Sequence, residues 1–88
     1  MYYIYVLYSS LLDRYYVGQT EDLERRLRFH QEGESPYTSR ASDWKLMYTE
    51  TFSDRTLTIK RELEIKRKKS RKYIEWLLQS ASSRPLSG

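Results

Sequence analysis

The sequence contains no cysteine. Disulfide staples, thiolate nucleophiles and cysteine-ligated zinc are therefore excluded as sources of stability or chemistry. No apolar run reaches the roughly 18 residues needed to span a bilayer, and no signal-like segment precedes the first strand-like stretch. These absences lead us to expect a soluble, cytoplasmic protein without a membrane association. The chain also lacks bulk. Its 88 residues suffice for one domain with a small core, so any function rests on a few side chains held by a thin layer of structure.

Acidic residues are scarce toward the C-terminus. Residues 1–59 hold seven Lys/Arg against nine Asp/Glu, whereas residues 60–88 hold nine against three. Eight of the thirteen positions from Lys60 to Lys72 are cationic. So dense a block suits a polyanion better than a small metabolite, although a solvated basic helix face reads the same way. Tyrosine is clustered at the other end. Six of nine tyrosines lie in the first sixteen residues: Tyr2, Tyr3, Tyr5, Tyr8, Tyr15 and Tyr16.

Tyr2 to Tyr8 is a continuous β-prone run, and Tyr15-Tyr16-Val17 returns as a short strand ended by Gly18. Thr20 is the candidate N-cap of a helix from Leu23 to about Gln31, with Gly33 stopping it. Arg26 and His30 fall on the same stripe as Leu23 and Leu27, where a purely structural helix would place apolar residues. Residues Trp44 to Phe52 read as a third strand. A second helix follows Ser53-Asp54, with an expected inward stripe of Ile59, Glu62, Leu63 and Lys66. Ser70 caps a third helix through Leu78. The expected order is β-β-α-β-α-α, an α+β fold with a three-stranded, mainly antiparallel sheet flanked by helices. The domain is expected over residues 1–79, with a disordered tail over 80–88.

These residues, taken in order, resemble the GIY-YIG nuclease family. Tyr3-Ile4-Tyr5 stands at its first motif and Tyr16-Val17-Gly18 at its second. Arg26, His30 and a helical glutamate, Glu62, follow at similar spacing. The likeness covers about residues 2–75 and is nearest to small stand-alone members similar to the nuclease module of excision-repair endonucleases. It implies hydrolysis of DNA phosphodiester bonds with Mg²⁺ or Mn²⁺, and a connection to DNA repair. Glu62 would bind the metal, Arg26 would steady the phosphate, and Tyr5 and Tyr16 would place or deprotonate the attacking water. His30 would complete the catalytic set. Arg40, Lys66, Arg67, Lys68, Lys69, Arg71 and Lys72 are the candidate nucleic-acid contacts.

The sequence departs from the family pattern in three respects. Tyr3 replaces the first glycine, and Gln19 stands where some relatives carry lysine. There is also no asparagine to match the one near the end of some relatives' domains.

Each residue alone has a plainer reading. Arg26 snorkels to solvent or pairs with Asp22 or Glu21, His30 complements a helix end, and Glu62 pairs with Lys66. The segment Tyr37-Thr38-Ser39-Arg40 either lines a substrate groove or is a surface loop. The rival functions are a non-catalytic nucleic-acid-binding module on the same fold and a protein-binding subunit using the tyrosine-rich face. No small-molecule cofactor is expected. Substrate choice is expected to be structure-led or weakly sequence-specific, because so short a chain has little surface for reading bases.

Overall fold

A computed structural model describes residues 1–33, 38–68 and 70–82. Strands β1 (Tyr2–Ser9), β2 (Arg14–Thr20) and β3 (Lys45–Phe52) form one antiparallel sheet in the order β2-β1-β3. Helix α1 (Leu23–Gln31) follows β2, a single 3-10 turn (Thr38–Arg40) precedes β3, and α2 (Arg55–Lys68) and α3 (Arg71–Ser82) close the chain. The expected element order and α+β class are the observed ones. Helix α3 passes the expected domain boundary at residue 79, and residues 83–88 of the expected tail lie outside the described residues.

The central strand explains its own composition. Side chains alternate between faces, so a strand covered on both sides is apolar at consecutive positions. Ile4, Val6 and Val17 pack with Ile65 and Leu77 beneath α2 and α3. Tyr5 and Leu7 pack with Trp44 on the other face, against Leu23 and Leu27 of α1. Strand β3 carries Met47 as an extra residue, because Val6 pairs with Tyr48 while Leu7 pairs with Leu46.

Three local expectations are corrected. Strand β2 runs through Gly18 to Thr20. Gly18 is not a breaker there; it sits opposite Tyr5, and a Cβ added to it would collide with the Tyr5 ring and hydroxyl. The N-cap of α1 is Asp22, not Thr20: Asp22 Oδ1 accepts from the Arg25 amide at 3.1 Å. Thr20 instead shapes the entry, its hydroxyl receiving the Asp22 amide at 3.1 Å.

The inward stripe of α2 is also rotated from the expected one. Thr58 and Ile65 are buried, two turns apart, while Ile59 and Leu63 are 37% and 51% exposed. Hydrophobic spacing misled because this face is partly polar. Arg61 leans inward to a bidentate pair with Glu50, at 2.8 and 2.9 Å, and donates to the Tyr73 hydroxyl at 3.1 Å. Thr58 returns its hydroxyl to the Asp54 carbonyl at 2.8 Å. Of the expected stripe, Glu62 alone is turned substantially inward, its side chain 15% exposed; Lys66, 50% exposed, lies beside it.

Candidate active site

The hairpin register decides which tyrosines meet. Tyr5 pairs with Gly18 and Leu7 with Tyr16, so Tyr5 and Tyr16 share a face, with ring centroids 6.3 Å apart. Gly18 leaves room for the Tyr5 ring to lie across β2, an edge strand, toward α1.

Helix α1 meets the phenols with His30, one turn beyond Arg26. The Tyr5 hydroxyl lies 2.8 Å from His30 Nε2, and His30 Nδ1 lies 2.8 Å from Thr38 Oγ1. Tyr5 and His30 are each 1% exposed and Thr38 is fully buried. The Tyr16 ring stands edge-on to the imidazole, 4.9 Å between centroids.

Burial, then the neighbouring Tyr16 phenol, push Tyr5 well above the usual phenol range; Arg26 opposes this and Glu62 adds to it. Burial, then the positive charge of Arg26, hold His30 below its ordinary value. Both groups are therefore neutral near pH 7. The proton order consistent with a neutral chain has the Tyr5 O–H donating to Nε2 and Nδ1–H donating to Thr38.

Within the segment expected to be a groove wall or a surface loop, Ser39 and Arg40 are exposed, Tyr37 lies outside the described residues, and Thr38 itself is buried. Its carbonyl also receives the Trp44 indole N–H at 2.8 Å, so Thr38 ties the loop before β3 to the histidine. A polar residue in a stretch without periodicity gives no signal of its own; only a buried His needing a second partner points to it.

Arg26 is half-buried, its guanidinium 5.0 Å from the Phe29 ring centroid. It does not pair with Asp22 or Glu21 through its side chain. Glu62 arrives from the opposite layer, on α2. Its Oε1 accepts from Gln19 Nε2 at 3.3 Å and its Oε2 faces Lys66 Nζ at 3.4 Å. Gln19 follows Gly18 in β2, so the two layers meet at this sheet edge.

Both contacts to Glu62 are long for so enclosed a carboxylate, leaving it capacity for a cation. Among the described residues no group of three or more His, Cys, Asp or Glu converges. One carboxylate with solvent beside it does not cage a metal, but it fits Mg²⁺, which keeps most of its waters.

The basic block is less available than its sequence suggests. Lys66 faces Glu62, and Arg71 pairs with Asp13 at 2.7 Å and Glu75 at 3.3 Å. Lys68 Nζ lies 5.4 Å from the Tyr73 ring centroid. Arg67, Lys72 and Arg40 are exposed, and Lys69 lies outside the described residues. The junction between α2 and α3 divides the block into two helix ends.

The model of the GIY-YIG catalytic domain matches residues 1–74. The chain belongs to the GIY-YIG family. It is 34% identical over 86 residues to a UPF0213 protein of Streptococcus pneumoniae, covering 97% of this chain and 86% of that one. A UPF0213 protein of Natronomonas pharaonis is 38% identical over 65 residues, 73% of this chain and 75% of the relative. The solution structure of the UPF0213 protein BH0048 from Bacillus halodurans is similar with a TM-score of 0.58 and 30% identity, covering 90% of this chain and 84% of that one. Among the described residues no helix is long and apolar enough to cross a membrane.

Proposed function

We propose that this chain is a metal-dependent endonuclease that hydrolyses DNA phosphodiester bonds, choosing substrates by structure more than by sequence. The observation that carries this reading is the meeting of Tyr5, Tyr16 and His30, with the Arg26 charge acting on both Tyr5 and His30, while Glu62 reaches Gln19, the residue after Gly18.

Hydrolysis needs a placed water, relief of charge on the phosphate, and help for the leaving oxygen. Water adds to phosphorus, the ester P–O bond breaks, and a phosphomonoester and a hydroxyl result. Arg26, with no side-chain hydrogen bond to any described residue, has a free fork for the phosphate oxygens. Tyr16 is partly exposed and is the phenol that orients the water. Tyr5 is too enclosed to touch water and strongly favours its neutral form, so its role is to position: with Thr38 it fixes the His30 tautomer and sets the imidazole against Tyr16. Glu62 would hold Mg²⁺ or Mn²⁺, which when bound supplies charge neutralisation at the phosphate.

The test is incubation of purified protein with supercoiled plasmid and with branched DNA, in Mg²⁺, Mn²⁺ or chelator. Nicking in the metal arms alone supports the proposal. DNA binding without cleavage in every arm overturns it in favour of a binding module.

A further inference from the structure

The cations lost to internal pairs raise the question of which ones remain for a polyanion near the sheet edge. Arg55, the first residue of α2, is exposed and its side chain makes no hydrogen bond or ion pair with any described residue. It lines a cleft of about 390 Å³ with Tyr2, Gln19, Thr20, Glu21 and Arg26. The walls come from β1, the end of β2, the turn before α1, α1 itself and α2. A second cleft of about 450 Å³ shares Thr20, Glu21 and Arg26 with it and continues past Asp22, Arg25 and Phe29. Arg26 stands where the two join. Gln19, whose amide reaches Glu62, forms the wall nearest the candidate metal carboxylate.

We propose that the cleft between Arg26 and Arg55 is a second phosphate subsite. It takes a nucleic-acid backbone phosphate next to the one presented at Glu62, and it rests on the reading of this edge as a nucleic-acid site. Two guanidiniums face one carboxylate, Glu21, so the lining carries a net positive charge suited to one bridging phosphate. The Arg55 fork reads oxygen positions, not merely charge, while Arg26, at the junction, divides its donors between this phosphate and the reacting one. The pair thereby sets the register of the strand along the edge. Glu21 limits the affinity for a small free anion, because a single phosphate must approach it without the support of neighbouring contacts. A polymer held at the Arg26 junction does not have that limitation.

The experiment uses the full chain carrying Glu62→Gln, so binding is read without cleavage and independently of whether the wild type is a nuclease. DNA affinity is measured by fluorescence anisotropy across a salt series. Adding Arg55→Ala should weaken binding roughly tenfold, as for a lost charge-assisted contact, and lower the salt slope by about 0.9. Arg55→Lys should restore the slope but not the full affinity, and Glu21→Gln should tighten binding. Lys45→Ala, at the start of the far edge strand, controls for net charge and should change affinity much less. Amide shifts at Gln19 to Glu21 and Arg55 should follow added oligonucleotide, with inorganic phosphate moving them only weakly. Unchanged affinity and slope in Arg55→Ala, or a loss no larger than that of Lys45→Ala, would overturn the subsite. Equal shifts with inorganic phosphate, together with unaltered DNA binding by Arg55→Ala, would make it a free-anion site and also overturn the proposal. Failure of the nuclease reading would appear separately, as wild-type protein that binds DNA and does not cut it.

Discussion

The Tyr5 hydroxyl occupies the space that a β-carbon on Gly18, its cross-strand partner, would need. The glycine of the second motif is therefore a packing requirement of the tyrosine of the first. Gly18→Ala should destabilise the fold by about 1–3 kcal/mol, as for an overpacked core, and shift Tyr5 away from His30. Tyr5→Phe removes the colliding oxygen but leaves Cζ, also too close at 2.5 Å. The double variant should therefore lose only somewhat less than the sum of the singles, and pairing Gly18→Ala with Tyr5→Leu should recover more. Denaturant midpoints check this; strictly additive losses would show that the two positions do not compete for the same space.

His30 gives the fold a defined pH response. Its folded value lies below the ordinary 6.5, chiefly through burial. Between the two values the unfolded chain binds more protons than the folded one, so stability rises with pH there. The contribution is complete above about 6.5 and declines as pH falls below it. Unfolding midpoints should drop from pH 7.5 to pH 5.5, and His30→Gln should flatten that dependence. Thr38→Val should cost about 1–3 kcal/mol by leaving Nδ1–H without its acceptor. An imidazole that titrates at or above 6.5 by NMR contradicts the buried neutral chain.

Arg26 is expected to matter to turnover far more than to folding. Arg26→Ala should slow cleavage by about 10²–10³-fold, as when a preorganised charge-stabilising donor is removed. Its thermal midpoint should stay near that of the wild type, since the guanidinium pairs with no described residue. Normal cleavage by the variant would remove Arg26 from the site.

The two halves of the basic block should behave differently. Arg71 is committed to Asp13 and holds that carboxyl down to about 2, first through their hydrogen bond. Arg71→Ala should move the Asp13 titration up toward its ordinary 3.8 and leave the salt dependence of DNA binding nearly unchanged. Arg67→Ala with Lys72→Ala should lower the salt slope by about 0.9 for each lost phosphate contact, with cleavage at saturating DNA preserved. Equal effects of Arg71→Ala and the double variant on the slope would mean that the ion pair opens for DNA.

Much of the fold was legible because local signals and packing agreed. The apolar run of β1, the short return of β2 and the stripe of α1 each follow from one buried face per element. The shared face of Tyr5 and Tyr16 needed only the register. What escaped notice was built from polar residues buried by tertiary context. Thr58 and the Arg61–Glu50 pair fill the inward face of α2, so the apolar residues Ile59 and Leu63 pointed to the wrong side. Thr38 lies in a segment without periodicity and acquires its role only when the loop before β3 closes on His30. Arg55 gave no sequence signal at all, since its relation to Arg26 exists only across the cleft. The basic block was visible as charge, but not which of its members would be spent on Asp13, Glu75 and Glu62.

The central claim is that Glu62 holds the metal for phosphodiester hydrolysis. Glu62→Gln keeps the shape and the contact with Gln19 while removing the charge. Plasmid nicking by carefully purified wild-type and variant proteins, side by side in Mg²⁺ and Mn²⁺ with DNA affinity measured in parallel, tests this directly. The expected result is metal-dependent nicking by the wild type, loss of nicking in Glu62→Gln, and affinity that persists or rises because a negative charge has left the edge. Robust metal-dependent nicking by Glu62→Gln would contradict the assignment.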